Sequence, residues 1–87
     1  MFVIVVYDVE AVRVAKVKKI CQQYLFWVQR STFEGNLSPK QLQELKNRIK
    51  EIVRPEHDQV KIYIIQQEDA LQTLTLGYTN NPEQFIF

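Results

Sequence analysis

Apolar positions along the chain fall into three patterns, and each predicts a different kind of element. Phe2 to Tyr7 is an unbroken β-branched and aromatic run that stops on Asp8, Val9 and Glu10, which predicts a strand buried on both faces. Val14, Val17, Ile20, Cys21 and Tyr24 recur at helical spacing, so residues 12 to 24 predict a helix with one apolar stripe. Arg13, Lys16, Lys19 and Gln23 share its other side as a basic row. Residues 25 to 37, rich in aromatic and β-branched types, predict extended chain up to Gly35-Asn36. They form either one long bent strand or two short ones joined near Arg30-Ser31, and no Asn-Gly or Gly-Gly pair decides which.

The following helix carries the most explicit signals. Ser38 stands at the N-cap, Pro39 at the first helical position, and Gln41 completes a capping box. Leu42, Leu45, Ile49 and Ile52 make its buried stripe, and Pro55 closes it. Gln59 to Ile65 predicts another strand. Leu71 to Tyr78 predicts a further one, before Asn80-Asn81-Pro82 and the apolar end Phe85-Ile86-Phe87.

The order is β-α-β(β)-α-β with an extra C-terminal strand. It predicts an α+β chain, a ferredoxin-like βαββαβ sandwich whose antiparallel sheet carries both helices on one face. Two helices leave the other face uncovered. Aromatics expected there, such as Trp27 or Phe33, call for a partner, and a two-fold homodimer is the commonest solution. A chain of 87 residues is one domain, small enough that association would add materially to its stability. The tail, residues 79 to 87, ends on Phe85-Ile86-Phe87 and is expected to find cover in such a dimer.

Composition adds little until charge is placed along the chain. Net charge is +1. Residues 1 to 61 hold all eleven lysines and arginines against seven acids, a balance of +4, while residues 62 to 87 hold three acids and no base. A polyanion would use the first region and avoid the second. The opening run lacks a basic flank and is too short to span a bilayer, so no leader or membrane partner is expected. With Cys21 as the single cysteine, a reducing, cytoplasmic setting is expected.

Several chemistries drop out. Gly35 and Gly77 are isolated, so there is no glycine-rich phosphate loop. His57, the only histidine, sits in the loop Arg-Pro-Glu-His-Asp without a second histidine or a nucleophile beside it. Cys21 falls on the buried helix stripe and reads as core. Asp8 and Glu10 remain, just where the first strand leaves the sheet. Each is equally suited to feed the positive end of the next helix as a cap. As a site residue, Asp8 offers one carboxylate, and Mg²⁺ needs only one or two carboxylates besides water and substrate phosphates. Two copies of Asp8 meeting at a two-fold axis would hold one ion, which would promote phosphodiester hydrolysis with nearby Arg or Lys steadying the phosphate.

The residues that carry this reading also resemble a known family. Val-Ile-Val-Val-Tyr-Asp-Val, Lys16-Val17, Tyr24, the run Val28-Gln29-Arg30-Ser31-Thr32-Phe33-Glu34-Gly35, Leu37-Ser38-Pro39 and Val60-Lys61-Ile62-Tyr63 are similar, in order and spacing, to the Cas-two family. These are small CRISPR-associated proteins of spacer acquisition, often described as endoribonucleases. The resemblance covers roughly residues 2 to 65. It implies a ferredoxin-like homodimer whose last strand crosses to the partner, metal-dependent cleavage of RNA or DNA in some members, and a bridging role between integrase subunits. It places Asp8 at the family's metal position and links Tyr7, Lys16 and Phe33 to activity or substrate contact. Trp27 stands where many members carry a basic residue, and Glu10 is the only acid between Asp8 and Arg13. The nucleic-acid contacts expected are thus Tyr7, Arg13, Lys16, Lys19, Arg30 and Phe33, with Asp8 as catalytic and Mg²⁺-binding residue. The alternative is a non-catalytic homodimeric scaffold that binds duplex DNA and docks the CRISPR integrase subunit. A small regulatory domain binding a metabolite at its dimer interface is a distant third.

Overall fold

A computed structural model describes residues 1–67 and 70–76. Its elements are β1 (Phe2–Asp8), α1 (Ala11–Gln22), β2 (Phe26–Gln29), β3 (Thr32–Asn36), α2 (Pro39–Lys50) and β4 (Gln59–Ile65). The strands form one antiparallel sheet in the order β2-β3-β1-β4. With β1 and β3 central, the first strand is hydrogen-bonded on both edges, which suits its β-branched run. Within Leu71–Leu76 the chain makes only a single bridge at Thr75 and no strand. The expected tail exchange, residues 79–87, lies outside the described residues.

Burial along β1 alternates instead of being continuous. Val3, Val5 and Tyr7 are buried, whereas Phe2 and Ile4 are half-buried and Val6 and Asp8 exposed. The expectation of a strand buried on both faces is therefore corrected: successive side chains point to opposite faces, and among the described residues only one face is covered by helices. That cover is α1 and α2. Val17, Ile20 and Cys21 of α1 and Leu42, Leu45 and Ile49 of α2 join Val3, Val5, Tyr7 and Phe33 in one core. Each such side chain fully removed from water stabilises the chain by about 1.5–3 kcal/mol.

The local signals at α2 hold as read. Ser38 accepts a hydrogen bond from the Gln41 amide at 3.1 Å, and the Gln41 side chain accepts one from the Ser38 amide at 2.9 Å. Residues 26–36 resolve into two strands around the turn Arg30-Ser31, where Arg30 takes φ 43°. A left-handed arginine is unusual. It is stabilised from outside the turn, since the Trp27 indole N–H donates to the Arg30 carbonyl at 2.9 Å. Gly35, opposite Val3 on the covered face, lets Leu25 close in, because an added Cβ would lie 3.2 Å from Leu25 Cδ2.

Trp27 and Phe33 are not on the uncovered face. They pair with each other, and Phe33 pairs with Val5, so both point to the helices. Phe33 is fully buried and the Lys18 ammonium lies 5.1 Å from the Trp27 ring centroid. The open face instead carries Phe2, Ile4, Val6, Asp8, Phe26, Glu34, Lys61 and Tyr63 by register. Phe26 and Tyr63 are about half exposed on it, at 48% and 52%.

Candidate functional site

Asp8 ends β1 on the open face, solvent-exposed. Gln59 of β4 lies directly opposite it, and Lys61 is two residues further along on the same face, opposite Val6. On the other side of β1 the Tyr7 amide donates to the Ser31 carbonyl at 3.0 Å, which brings the Arg30-Ser31 turn to the same end of the sheet. Asp8, Gln59, Lys61 and the exposed Arg30 therefore cluster at one end. Gln59 and Lys61 escaped the sequence reading because only cross-strand register reveals them. Glu34, also on this face, is 8% exposed between Ile4 and Phe26.

Neither carboxylate after β1 caps α1. Glu10 occupies the N-cap position without a side-chain cap hydrogen bond. Its carboxylate accepts from Arg13 Nη2 at 3.1 Å and lies 3.4 Å from His57 Nδ1, while its amide donates to Asp58 Oδ1 at 2.9 Å. Asp58 is the centre of this corner. It accepts from Arg13 Nε at 2.6 Å, Arg13 Nη2 at 2.9 Å, the Arg54 amide at 2.8 Å and the Glu10 amide. The bidentate Arg13 guanidinium, aided by those two amides, holds the Asp58 carboxyl far below the ordinary carboxylate range. Arg13 is thus committed to an ion pair, with only 15% of its side chain exposed, and is not the free phosphate-binding cation its place in the basic row suggested.

Tyr7 and Phe33 also depart from expectation. Both face the helices, at 4% and 0% exposure, with ring centroids 6.3 Å apart. Burial pushes the Tyr7 hydroxyl above its usual range. They lie on the side of the sheet opposite Asp8, so in this fold they shape β1 and β3 from beneath and do not touch a ligand of the open face. Their alternation parity, even against odd, was the available signal.

Lys16 and Lys19 stand elsewhere again. They line a groove of about 700 Å³ and its 400 Å³ continuation between α1 and the C-terminal end of α2, together with Arg48, Arg54 and Glu51, and the ion-paired Arg13 also borders the larger part. Arg48 is held by Gln23 Oε1 at 2.5 Å and lies 5.7 Å from the Tyr24 ring centroid. Lys16 and Lys19 are therefore on a different surface from Asp8. Cys21 is buried, and burial pushes its thiol up to about 11, so it is a core residue and not a nucleophile.

A family model described as CRISPR associated protein Cas2 matches residues 1–73. This chain belongs to the Cas2 family. A relative from Thermotoga maritima, named CRISPR-associated endoribonuclease Cas2, is 40% identical over the whole of both chains. A second endoribonuclease Cas2, from Archaeoglobus fulgidus, is 44% identical over 88% of this chain and 84% of its own. A solved crystal structure of a Cas2 superposes with a TM-score of 0.81 at 45% identity, covering 100% of this chain and 98% of that one. The Streptococcus pyogenes Cas2 structure gives 0.71 at 29% identity, covering 85% of this chain and 99% of that one. The curated Cas2 relatives carry the name of a nuclease. No helix among the described residues is long and apolar enough to cross a membrane.

Proposed function

We propose that this Cas2 chain is a Mg²⁺-dependent endonuclease that works as a ferredoxin-like homodimer and cuts phosphodiester bonds of RNA or DNA. The observation that carries the reading is the position of Asp8: an exposed carboxylate at the end of a central strand, on the sheet face that no helix of the described residues covers. Among the described residues no three His, Cys, Asp or Glu side chains come together as a metal cage. Mg²⁺ does not need one, since it keeps several waters and uses one or two carboxylates. Two subunits joined through their open faces would bring a second Asp8 to the first. Bound there, the ion would supply Lewis acidity at the phosphodiester and lower the pKa of attacking water. The chain's own residues do the rest. Asp8 holds the ion, Lys61 and Arg30 offer positive charge to the non-bridging oxygens, and Gln59 offers a neutral donor beside Asp8.

The groove lined by Lys16, Lys19, Arg48 and Arg54 supports a second reading, a homodimeric scaffold that binds duplex DNA and bridges integrase subunits. Its cations lie away from the Asp8 face, so binding through them requires no cleavage. One experiment separates the two. Wild type and Asp8→Asn are assayed on single-stranded RNA and duplex DNA, with Mg²⁺ and with chelator. The nuclease reading expects Mg²⁺-dependent cleavage that disappears in Asp8→Asn. The scaffold reading expects no cleavage by wild type and unchanged DNA affinity in the variant.

A further inference from the structure

The Asp58–Arg13 pair has an anion with no exposed side-chain surface at its centre. The Asp58 side chain has no exposed surface, yet it accepts four hydrogen bonds, from the start of α1 (Glu10 and Arg13) and from Arg54 in its own loop. Those segments converge on Asp8. The Glu10 amide is two residues after Asp8 in the chain. Asp58 itself directly precedes Gln59, the residue opposite Asp8 across β1 and β4. The Arg54 amide fixes the loop that delivers β4, and Arg13 fixes the first turn of α1. One carboxylate therefore ties the amide two residues after Asp8 to the residue that precedes its cross-strand partner Gln59.

We propose that Asp58 is the positioning residue for Asp8 and that Arg13 acts through Asp58 instead of binding nucleic acid. The proposal rests on the nuclease reading for its kinetic consequence, and on hydrogen bonding alone for its structural one. Loss of a group that orients a metal-holding carboxylate typically costs 10- to 100-fold in activity or metal affinity. Displacement of a reacting group by about an ångström has a similar effect on turnover. Neither removes a phosphate partner, so affinity for the polyanion and its salt dependence should stay as they are.

The experiment uses the full-length protein with Mg²⁺ and a single-stranded RNA substrate. Asp58→Ala, Asp58→Asn, Arg13→Ala and the double variant Arg13→Ala/Asp58→Ala are compared with wild type, with thermal melts confirming that each is folded. Asp58→Ala should lower kcat by about 10- to 100-fold while KM changes little. Arg13→Ala should do the same, and the double variant should lose no more than either single one. Asp58→Asn, which keeps the shape and one acceptor oxygen, for either the Glu10 or the Arg54 amide, should retain more activity than Asp58→Ala. Binding is measured in an Asp8→Asn background, where the plot of log affinity against log salt should keep its slope when Arg13 is removed. If Arg13 instead touches a phosphate, the slope falls by about 0.7–0.9 for each phosphate it neutralises and the two effects on kcat add. That result overturns the proposal.

Amide hydrogen exchange supplies a readout that does not depend on turnover. Removal of the Asp58 side chain should speed exchange at the Glu10 and Arg54 amides and shift the resonances of Asp8, Val9 and Gln59. Should the wild type fail to cleave, the nuclease reading falls while these shifts and the constant salt slope still uphold the clamp. Unchanged exchange and unchanged Asp8 resonances in a folded Asp58→Ala would defeat the clamp whatever the enzyme does.

Discussion

The two faces of the sheet are built from the same strands and do opposite work. On the helix-covered face Val3, Val5, Tyr7 and Phe33 are sealed against α1 and α2. On the open face Val6, Phe26 and Tyr63 stay substantially exposed, with Asp8 at one end and Lys61 beside it. The strand period of two puts residues 7 and 8, neighbours in sequence, on different sides of that division. Tyr7 is packed beneath the sheet and Asp8 stands in solvent above it. Adjacent residues with a shared family signature therefore need not share a task.

The largest effect expected from breaking this division is at Asp8. Asp8→Asn preserves size and leaves the covered face untouched, so it should reduce Mg²⁺-dependent cleavage to background while the melting temperature stays close to wild type. A variant that loses cleavage and also melts far below wild type would mean that Asp8 belongs to the structural side.

Next in size comes a matched pair of phenylalanines. Phe33→Ala removes a fully buried ring and should cost about 3–5 kcal/mol in denaturant unfolding. Phe26→Ala removes a ring that is 48% exposed in the single chain, and should cost far less when measured at low protein concentration. If the open faces pair, its cost should grow with protein concentration, because dimer dissociation is linked to unfolding. Sedimentation at micromolar concentration checks the same point: each chain is 10.4 kDa, and wild type should run near twice that while Phe26→Asp/Tyr63→Asp shifts toward one chain. Equal losses for the two phenylalanines at every concentration would erase the difference between the faces.

How much of this was legible follows from where each signal lies. Local ones were read correctly: the Ser38–Gln41 capping box, the stripes of α1 and α2, and the strand Gln59–Ile65 depend on neighbours within a few residues. Features made by distant partners were not. The uniform apolarity of Phe2–Tyr7 hid which parity is covered, because β-branched residues suit a central strand on either face. Arg13 looked like one more cation in a row, since Asp58 is 45 positions away and only the fold brings it to 2.6 Å. The two-residue turn at Arg30-Ser31 lacked its usual residues because a tryptophan supplies the support. Asp8 was legible as an element end facing two possible duties, and the N-cap position of α1 falls to Glu10, two residues further on.

A smaller effect tests the separation of the cationic groove from the Asp8 face. Lys16→Glu/Lys19→Glu should flatten the log–log salt dependence of duplex DNA binding, by roughly 0.9 for each phosphate no longer neutralised. Since α1 carries these lysines up to about 12 Å along the helix from Ala11, at 1.5 Å per residue, cleavage of a short single-stranded RNA should be affected less than duplex affinity. An unchanged slope would make the row a solvated helix face.

The smallest effects are the two pH limbs set by groups on the structural side, and they run in opposite senses. Asp58 has its carboxyl lowered by Arg13, so its stabilising contribution is present above the unfolded value near pH 4 and is lost as pH falls through the lower folded one. Cys21 is a neutral thiol raised to about 11 by burial. Its ionisation is therefore easier in the unfolded chain, and stability falls as pH rises from about 9 toward 11. Unfolding free energies measured between pH 2.5 and 10.5 should show both limbs in wild type. Asp58→Asn should flatten only the acid limb, because no carboxyl remains to be protonated there. Cys21→Ala should flatten only the alkaline limb, with a small constant loss from the vacated volume. Arg13→Ala separates cause from bystander on the acid side: it keeps the Asp58 carboxyl but removes the first reason for its lowered pKa. Its acid limb should then move upward toward pH 4 and shrink. If that limb stays where it was, the amides of Glu10 and Arg54 hold the Asp58 charge by themselves, and Arg13 is released from the role assigned to it.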